Sequence, residues 1–271
     1  MGSTVLITGS SSGIGKETAT LFQRKGWNVA ASMRRPAQAI DLDRLDHLSI
    51  PKLDVTQEKT IEKSIRETID EFGGIDVVVN NAGYALTGPL EAVTDEQIRK
   101  QFETNVFGLV NVMRAMLPHF RERGGGTIVN VASMGGRVAF PLYSLYHGTK
   151  WSVEGISESI RHELMPLGIQ VKIVEPGPIK TDFYGRSLVA ADLEGFEDYA
   201  PFVERVTANA DKAAQKGASP QQVAAVIFKA ATDRSGRLRY KTDWTGRMVL
   251  LARRLLTDTL FNGLAGRVLT R

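Results

Sequence analysis

The stretch that decides the fold is TVLITGSSSGIGKETATLFQRK, residues 4–25. It begins with the β-branched, apolar run Thr4–Thr8, which predicts a short buried strand. The glycine-rich segment GSSSGIG follows at once, and the composition from Glu17 to Lys25 is helical. A strand, a glycine turn and a helix in this order are the context that a phosphate-binding fingerprint requires.

Each glycine of this turn has a predicted role. Gly9 permits a tight turn, Gly13 lets backbone N–H groups approach a pyrophosphate, and Gly15 lets the helix pack closely on its strand. The N-terminus of the helix then offers a partial positive charge to the phosphates. A merely structural turn is the alternative, but the surrounding βα unit favours the binding of a dinucleotide cofactor.

The end of the second predicted strand, residues 28–33, indicates which dinucleotide binds. An NAD-specific site usually has Asp or Glu about 20 residues beyond the glycines, where it holds the ribose 2′-hydroxyl. Here the sequence is Met33-Arg34-Arg35, and an arginine binds a 2′-phosphate through charge-assisted hydrogen bonds. We therefore expect NADP(H), with Arg34 and Arg35 at the 2′-phosphate. The alternative is that both arginines are solvated loop charges.

Strands and helices alternate beyond this unit. Further strand-like runs lie at residues 47–54, 75–80, 127–132 and 169–174, and helical stretches lie at 56–72, at 95–121 and around residue 146. This alternation predicts an α/β fold: a doubly wound, Rossmann-type, mostly parallel sheet of about seven strands with helices on both faces. We expect a single domain over residues 1–271, with a substrate lid at about 181–218, an edge strand at 238–240 and a helical tail at about 244–271.

Composition excludes several classes of protein. The 271 residues include no cysteine, so disulfides and thiolate metal sites are excluded and a reducing, cytoplasmic compartment is expected. No apolar run approaches the roughly 20 residues of a membrane-spanning helix, and we expect no secretory signal. The net charge of +4 is small and spread along the chain, which argues against a nucleic-acid partner.

Tyr146 and Lys150 lie four residues apart in a predicted helix and therefore share one face. A tyrosine acts as an acid or base near neutral pH only if a positive charge stabilises its phenolate, and lowering its pKa by three units takes about 4 kcal/mol. For an isolated pair, an ordinary helix face is the alternative. Tyr143 competes for the same role, but its neighbour four residues on is His147, so we assign Tyr143 to the pocket wall.

Six motifs in this order resemble the short-chain dehydrogenase/reductase family, and the resemblance covers residues 4–181. TGSSSGIG at residues 8–15 resembles the cofactor turn of the family, and NNAG at residues 80–83 resembles its mid-sheet motif. PGPIKT at residues 176–181 is similar to its nicotinamide-side loop. The other three motifs carry the residues of the catalytic tetrad.

The tetrad positions are occupied by Asn105, Ser133, Tyr146 and Lys150. The resemblance implies that Tyr146 is the general acid in reduction and the base in oxidation. Lys150 would lower the pKa of Tyr146 and bind the nicotinamide ribose. Ser133 would orient and polarise the substrate oxygen, and Asn105 would hold a water that links Lys150 to solvent.

The resemblance also implies the cofactor contacts. Asp54 and Val55 would contact the adenine, and Ile179 and Thr181 the carboxamide. The full predicted set is Gly9, Ser11, Ser12, Gly13, Ile14, Gly15, Arg34, Arg35, Asp54, Val55, Asn81, Ala82, Gly83, Tyr146, Lys150, Pro176, Gly177, Ile179 and Thr181. The predicted substrate contacts are Ser133, Tyr143 and Tyr146. No metal is expected, because His47, His119, His147 and His162 do not have metal-ligand spacing.

The segment of residues 181–218 has poor periodicity and many aromatic residues, which is typical of a functional or disordered segment. In the resembled family this region covers the substrate. An apolar pocket there would take a hydrophobic alcohol or ketone, such as a steroid, a retinoid or a fatty aldehyde; the alternative is that these side chains simply pack on the sheet. The candidate lining residues are Phe183, Tyr184, Phe196, Tyr199 and Phe202, together with Tyr84, Leu86, Phe140, Leu142 and Tyr143.

The tail from Trp244 mixes leucines with arginines in an amphipathic, basic pattern. Such a tail could lie on an anionic membrane surface, although packing on its own domain or on a subunit neighbour is favoured. We expect a small carbonyl or alcohol substrate, a homodimer or homotetramer, and neither a nucleic-acid partner nor integral membrane insertion. The alternative functions are a nucleotide-sugar epimerase or dehydratase and a catalytically silent NADP-binding regulator.

Overall fold

The structure is a computed structural model that describes residues 2–38, 42, 45–180 and 188–270. Its strands are β1 Thr4–Thr8, β2 Asn28–Ser32, β3 Leu48–Ser49, β4 Val77–Asn80, β5 Ala85–Thr87, β6 Gly126–Val131, β7 Ile169–Glu175, β8 Leu188–Ala190 and β9 Arg239–Lys241. Seven of them form one parallel sheet in the order β3-β2-β1-β4-β6-β7-β9, and β5 pairs with β8 in a second, two-stranded sheet.

The helices connect these strands. They are α1 Gly13–Arg24, α2 Glu58–Phe72, α3 Asp95–Phe102, α4 Gly108–Glu122, α5 Ser144–Leu164, α6 Ala200–Gln215, α7 Pro220–Thr232, α8 Trp244–Leu255 and α9 Asp258–Thr270. Alternate residues of the strands face opposite sides of the sheet. Leu6 packs in a core with residues of α2, α4 and α5, whereas Val5 and Ile7 pack with residues of α1 and α7. The predicted doubly wound, Rossmann-type fold is confirmed.

The third strand is much shorter than the sequence predicts. Only Leu48–Ser49 is a strand within the predicted 47–54, although Leu53 N–H still donates to the Met33 carbonyl oxygen at 3.0 Å. Pro51 lies between these contacts and has no N–H to donate, so the ladder is interrupted there. The following residues, Asp54 and Val55, form a loop beside the end of β2.

The predicted helix at residues 95–121 is divided. A π-helical turn, Glu103–Phe107, separates α3 from α4 and contains the buried Asn105. Such turns insert an extra residue into a helix and are frequent at functional sites. The turn places the Asn105 side chain against the loop that follows β4.

The chain beyond residue 188 is more regular than predicted. Residues 181–187 lie outside the described part of the chain, but the rest of the expected lid contains β8 and the 16-residue helix α6. Poor periodicity therefore did not mean irregular structure there. The edge strand β9 and the helices α8 and α9 of the tail agree with expectation.

Candidate active site

The glycine turn between β1 and α1 forms a cradle. Gly9 has a φ of +71°, and a Cβ on Gly15 would lie only 2.3 Å from the Gly9 carbonyl oxygen, so close packing requires glycine there. A Cβ on Gly13, by contrast, would meet no described atom within 4 Å. The N-terminus of α1 thus opens onto free space, and within the described chain the Ser12 side chain does not cap it. These features fit the phosphates of a dinucleotide.

Asn81 holds this cradle against the next strand. Its Nδ2 donates to the carbonyl oxygens of Thr8 at 3.0 Å and Gly9 at 3.1 Å. The Thr8 hydroxyl in turn accepts from the backbone N–H groups of Asn81 and Ala82, both at 3.0 Å. Asn81 was predicted as a cofactor contact, and its side chain here also fixes the turn that would bind the cofactor.

A cleft of about 1720 Å³ runs along the C-terminal ends of β1, β4, β6 and β7. The predicted site residues that line it are Gly9, Ser11, Ser12, Gly13, Ile14, Gly15, Arg34, Asp54, Val55, Asn81, Ala82, Gly83, Ser133, Tyr143, Tyr146, Lys150, Pro176, Gly177 and Ile179. Arg35 is exposed and is not among the described residues that line the cleft. Thr181 lies outside the described residues.

Tyr146 and Lys150 both lie near the start of α5 and face this cleft. Lys150 Nζ lies 5.8 Å from the centroid of the Tyr146 ring and donates to the Val131 carbonyl oxygen at 2.9 Å. Lys150 is only 8% exposed. Burial lowers the pKa of Lys150 to about 8, while the nearby Glu154 carboxylate opposes that shift. The ammonium is therefore fixed in position, and its charge can be lost at mildly alkaline pH.

Ser133 begins a 3-10 turn, Met134–Gly136, that follows the end of β6. Its Oγ accepts from the Gly135 N–H at 3.0 Å, so the hydroxyl proton is directed away from that contact. The Met134 N–H donates to the Pro176 carbonyl oxygen at 2.8 Å. The Ser133 turn and the loop after β7 are thus joined at the point where the cleft passes between them.

Asn105 lies behind the cleft rather than on its wall. Its Oδ1 accepts from the Tyr84 N–H at 3.1 Å, and its Nδ2 donates to the Tyr84 carbonyl oxygen at 2.8 Å and to the Thr149 hydroxyl at 3.2 Å. Oδ1 also lies 3.1 Å from where a Cβ on Gly83 would be. Asn105 therefore ties the loop after β4 to α5, and a water relay at this residue stays a prediction.

His147 links α5 to the Ser133 turn, a role that the sequence did not reveal. Its Nδ1 lies 3.0 Å from the Gly135 carbonyl oxygen, and its Nε2 lies 3.0 Å from the Phe140 N–H. Because only Nε2 can accept from that N–H, the neutral ring must carry its proton on Nδ1. Burial lowers the pKa of His147 to about 4.

Protonation of His147 is expected to destabilise the protein. The neutral ring is favoured in the folded state, so this stabilisation is complete above pH 6.5 and is lost as the pH falls towards 4. The shift corresponds to about 3 kcal/mol. Urea unfolding at pH 7 and pH 4 should show a larger loss of stability for the wild type than for His147→Asn. His162→Asn, an exposed position on the same helix, should behave as the wild type; equal pH dependence in all three proteins would contradict this role.

The C-terminal tail covers one end of the cleft. Leu250 of α8 and Phe261 of α9 are buried with Met134 and Val138 of the Ser133 turn region. The tail therefore packs on its own chain, as was favoured. The residues that it adds to the cleft wall are Thr245, Val249, Ala252, Leu256, Phe261, Leu264 and Ala265.

The other face of α8 stays exposed. Trp244 and Leu255 are 72% and 73% exposed, and Met248 and Leu251 lie between them on the same side of the helix. In the described part of the chain, no helix is long and apolar enough to cross a bilayer. Contact of this face with an anionic membrane surface stays a prediction, which sedimentation with vesicles would test.

The expected aromatic lining is partly wrong. Tyr84, Phe140 and Tyr143 line the cleft, but Phe183 and Tyr184 lie outside the described residues. The other candidates, Leu86, Leu142, Phe196, Tyr199 and Phe202, are not among the described residues that line it. The Tyr199 hydroxyl instead donates to Glu91 at 3.0 Å. Small and branched apolar residues of α6, including Val206 and Ala214, occupy that side of the cleft.

A family model described as short chain dehydrogenase matches residues 3–189. The chain belongs to the short-chain dehydrogenase family. Among the relatives of this short-chain dehydrogenase is an uncharacterized oxidoreductase of Schizosaccharomyces pombe, 42% identical over 218 residues that cover 78% of this chain and 88% of the relative. A 3-ketodihydrosphingosine reductase of Bacteroides thetaiotaomicron is 34% identical and covers 88% of this chain and 86% of its own. Retinol dehydrogenase 8 of Bos taurus is 32% identical, and the match covers 89% of this chain and 81% of the relative.

Solved structures agree with this family. A short-chain dehydrogenase from Streptomyces avermitilis has a TM-score of 0.82 and 31% identity, and the match covers 97% of this chain and 94% of that one. ElxO, solved with NADP bound, has a TM-score of 0.72 and 29% identity, with shares of 89% and 98%. This short-chain dehydrogenase is therefore an oxidoreductase that uses a nicotinamide dinucleotide.

Among the residues that the structure describes, no group of three or more His, Asp or Glu side chains is placed to hold a metal ion. The polar groups that line the cleft include the hydroxyls of Ser133 and Tyr146 and the ammonium of Lys150. Proton transfer and hydrogen bonding are the chemistry that these groups can perform.

Proposed function

We propose that this protein is an NADP(H)-dependent oxidoreductase that transfers a hydride between nicotinamide and the carbonyl or alcohol carbon of an apolar substrate. The observation that carries the proposal is the common cleft. The glycine cradle lies at one part of it, and the Ser133, Tyr146 and Lys150 side chains line another part of the same space. A cofactor bound along the cleft would reach the groups that handle the substrate oxygen.

The preference for NADP(H) is supported by charge at the end of β2. Arg34 lines the cleft where the adenine ribose would lie, beside Met33 and near Asp54. A guanidinium stabilises a 2′-phosphate, whereas NAD would leave this cation without its partner. ElxO, which was solved with NADP, is similar in fold to this chain.

The described residues suggest how the reaction would proceed. When bound, NADPH supplies the hydride. Tyr146 would donate its phenolic proton to the substrate oxygen as negative charge develops there. Ser133 would donate a second hydrogen bond to that oxygen, because its Oγ accepts from the Gly135 N–H and its hydroxyl proton therefore points away from that contact. Lys150 would stabilise the Tyr146 phenolate that results, because its ammonium is held beside the ring.

An apolar substrate is supported by the far end of the cleft. Val249, Leu256 and Phe261 of the tail and Val206 of α6 line that region. Burial of apolar surface is the dominant favourable term for a ligand in such a site. The names of two relatives, 3-ketodihydrosphingosine reductase and retinol dehydrogenase 8, refer to substrates with long apolar chains.

Catalytic efficiency should therefore rise with the length of the substrate. Each methylene that the cleft buries contributes about 0.8 kcal/mol, which is about fourfold in kcat/KM. We expect kcat/KM for a series of straight-chain aldehydes or methyl ketones to increase over several added carbons before it levels off. A series measured by NADPH oxidation checks this expectation, and equal or better rates with small polar carbonyls would contradict it.

The same assay tests the proposed function as a whole. NADPH consumption should depend on the carbonyl compound and should yield the matching alcohol. Binding of NADPH without turnover of any carbonyl or alcohol would favour the silent regulator instead. Conversion of a nucleotide sugar without net oxidation of the cofactor would favour the alternative function of a nucleotide-sugar epimerase or dehydratase.

A further inference from the structure

Two buried carboxyl groups lie behind Lys150 and have no part in the proposed reaction. Glu154 stands one turn after Lys150 on α5, and Glu175 is the last residue of β7; they are 5% and 1% exposed. The Ser133 turn packs tightly against Glu154. A Cβ on Gly136 would lie 2.8 Å from the Lys150 carbonyl oxygen and 2.9 Å from Glu154 Cγ.

The two carboxyl groups have fewer hydrogen-bond partners than they need. Glu154 Oε2 accepts from Arg239 Nε at 2.9 Å, but Glu154 Oε1 and both oxygens of Glu175 are buried without a partner among the described atoms. Arg137 Nη1 and Arg239 Nε lie 3.7 Å and 3.6 Å from Glu175 Oε1, beyond hydrogen-bond distance. A proton held between the two carboxyl groups would satisfy buried oxygens on both sides.

The surrounding charges do not allow both groups to be ionised at low cost. The charged side chains that face the pair are Lys150 and Glu158 on α5, Arg137 after the Ser133 turn, and Arg239 and Lys241 on β9. Arg239 is shared, because it also binds Glu158 at 2.7 Å. Burial and then repulsion by Glu175 raise the pKa of Glu154 to about 7, and burial raises the pKa of Glu175. Two neighbouring carboxyl groups in a buried site typically retain one proton between them.

We propose that Glu154 and Glu175 share one proton and that the charge left on Glu154 keeps the Lys150 ammonium protonated during catalysis. The inference rests on the proposed function, in which Lys150 must be charged to stabilise the Tyr146 phenolate. Glu154 is the carboxylate whose field acts on Lys150. Glu175 lies on the far side of the pair, next to Pro176 and the cofactor loop, so movement of the shared proton changes the field at Lys150.

Two matched variants test this arrangement, because a glutamine amide imitates a protonated carboxyl group. Glu175→Gln fixes the negative charge on Glu154, and Glu154→Gln fixes it on Glu175, farther from Lys150. Removal of a nearby negative charge lowers the pKa values of the interacting Tyr146 and Lys150 side chains. The alkaline limb of the plot of kcat/KM against pH should therefore move to lower pH in Glu154→Gln, by about half a pH unit or more. In Glu175→Gln, which removes only the charge farther from Lys150, it should move by less.

A second measurement does not depend on activity. A carboxyl group whose pKa is higher in the folded than in the unfolded state stabilises the folded protein at pH values below its unfolded-state pKa. That contribution is lost as the pH rises from about 4.5 through about 7. The Tm of the wild type should fall over this range by more than that of either variant. If Tm falls equally with pH in all three proteins, the proposal that Glu154 and Glu175 share a proton is wrong.

The link to Lys150 also has a readout apart from turnover. The phenolate absorbance of Tyr146, taken as wild type minus Tyr146→Phe, should begin to rise at lower pH in the Glu154→Gln background than in Glu175→Gln. If both variants have the same alkaline limb of kcat/KM and the same titration of Tyr146, the proposed effect of Glu154 on Lys150 is wrong. If the wild type reduces no carbonyl compound, the proposed function fails, while the Tm series and this titration still decide the inference.

Discussion

Replacement of Tyr146 by Phe is expected to lower kcat for carbonyl reduction by about 10²–10⁴-fold, the usual contribution of a positioned general acid. The variant keeps the ring that packs beside Lys150 and removes only the hydroxyl that we propose donates the proton. NADPH binding should change little, since the glycine cradle and Arg34 are untouched. Steady-state kinetics with an apolar aldehyde, together with fluorescence titration of NADPH, measure both quantities.

Tyr143→Phe is the matched control. Its ring lies 6.3 Å from that of Tyr146 and also faces the cleft, so it removes a hydroxyl from the same region. We expect a loss of less than about tenfold, because a pocket-wall hydroxyl contributes at most one hydrogen bond to the substrate. If Tyr146→Phe retained turnover, or if Tyr143→Phe were equally impaired, the assignment of the acid would be wrong.

Replacement of Arg34 by Asp should reverse the proposed preference for NADP(H) over NAD(H). The change would remove the proposed charge-assisted hydrogen bond to the 2′-phosphate and add a repelling carboxylate, which together would cost about 3 kcal/mol, or about 100-fold in kcat/KM for NADPH. Activity with NADH should fall far less or rise, because Asp can bind the ribose hydroxyls. Comparison of kcat/KM for both cofactors measures the effect.

Arg35→Asp separates this contact from a general effect of charge. Arg35 is the exposed neighbour of Arg34 and does not belong to the described cleft wall. It should change the ratio of NADPH to NADH efficiency by much less than Arg34→Asp does. Equal changes in the two variants would mean that long-range charge, rather than a contact by Arg34, sets the preference.

The parts of the fold that local sequence determines were predictable. The run Thr4–Thr8, the glycine turn and the following helix lie next to one another in the chain, and the structure has the same strand bounds. The capping box that Ser219 and Gln222 form at the start of α7 is likewise a local feature. In each case the residues that stabilise the element lie within a few positions of it.

The parts that depend on distant contacts were not predictable. The π turn at Asn105 exists where its amide binds the Tyr84 backbone, 21 positions away in the chain. His147 gains its role only from the way the Ser133 turn folds back onto α5. No local pattern in the sequence reports either contact.

The substrate end shows the same limit. The leucines and arginines after Trp244 predicted an amphipathic tail, and its apolar face could have packed on several surfaces. Only the fold shows that Leu250 and Phe261 pack beside Met134 and so bring the tail to the cleft. The buried Glu154 and Glu175 pair was also missed, because charged residues at separate positions on a helix and a strand suggest solvent exposure until the sheet brings them together.

Transfer of deuterium from NADPH tests the central claim most directly. The protein would be incubated with an apolar aldehyde and NADPH that carries deuterium at both C4 positions of the nicotinamide, and the alcohol would be analysed by mass spectrometry. We predict one deuterium on the carbinol carbon with the wild type and at least a hundredfold slower appearance of that product with Tyr146→Phe, in line with the loss expected for a general acid. Alcohol without deuterium, or no alcohol from any aldehyde or ketone while NADPH binds, would contradict the account.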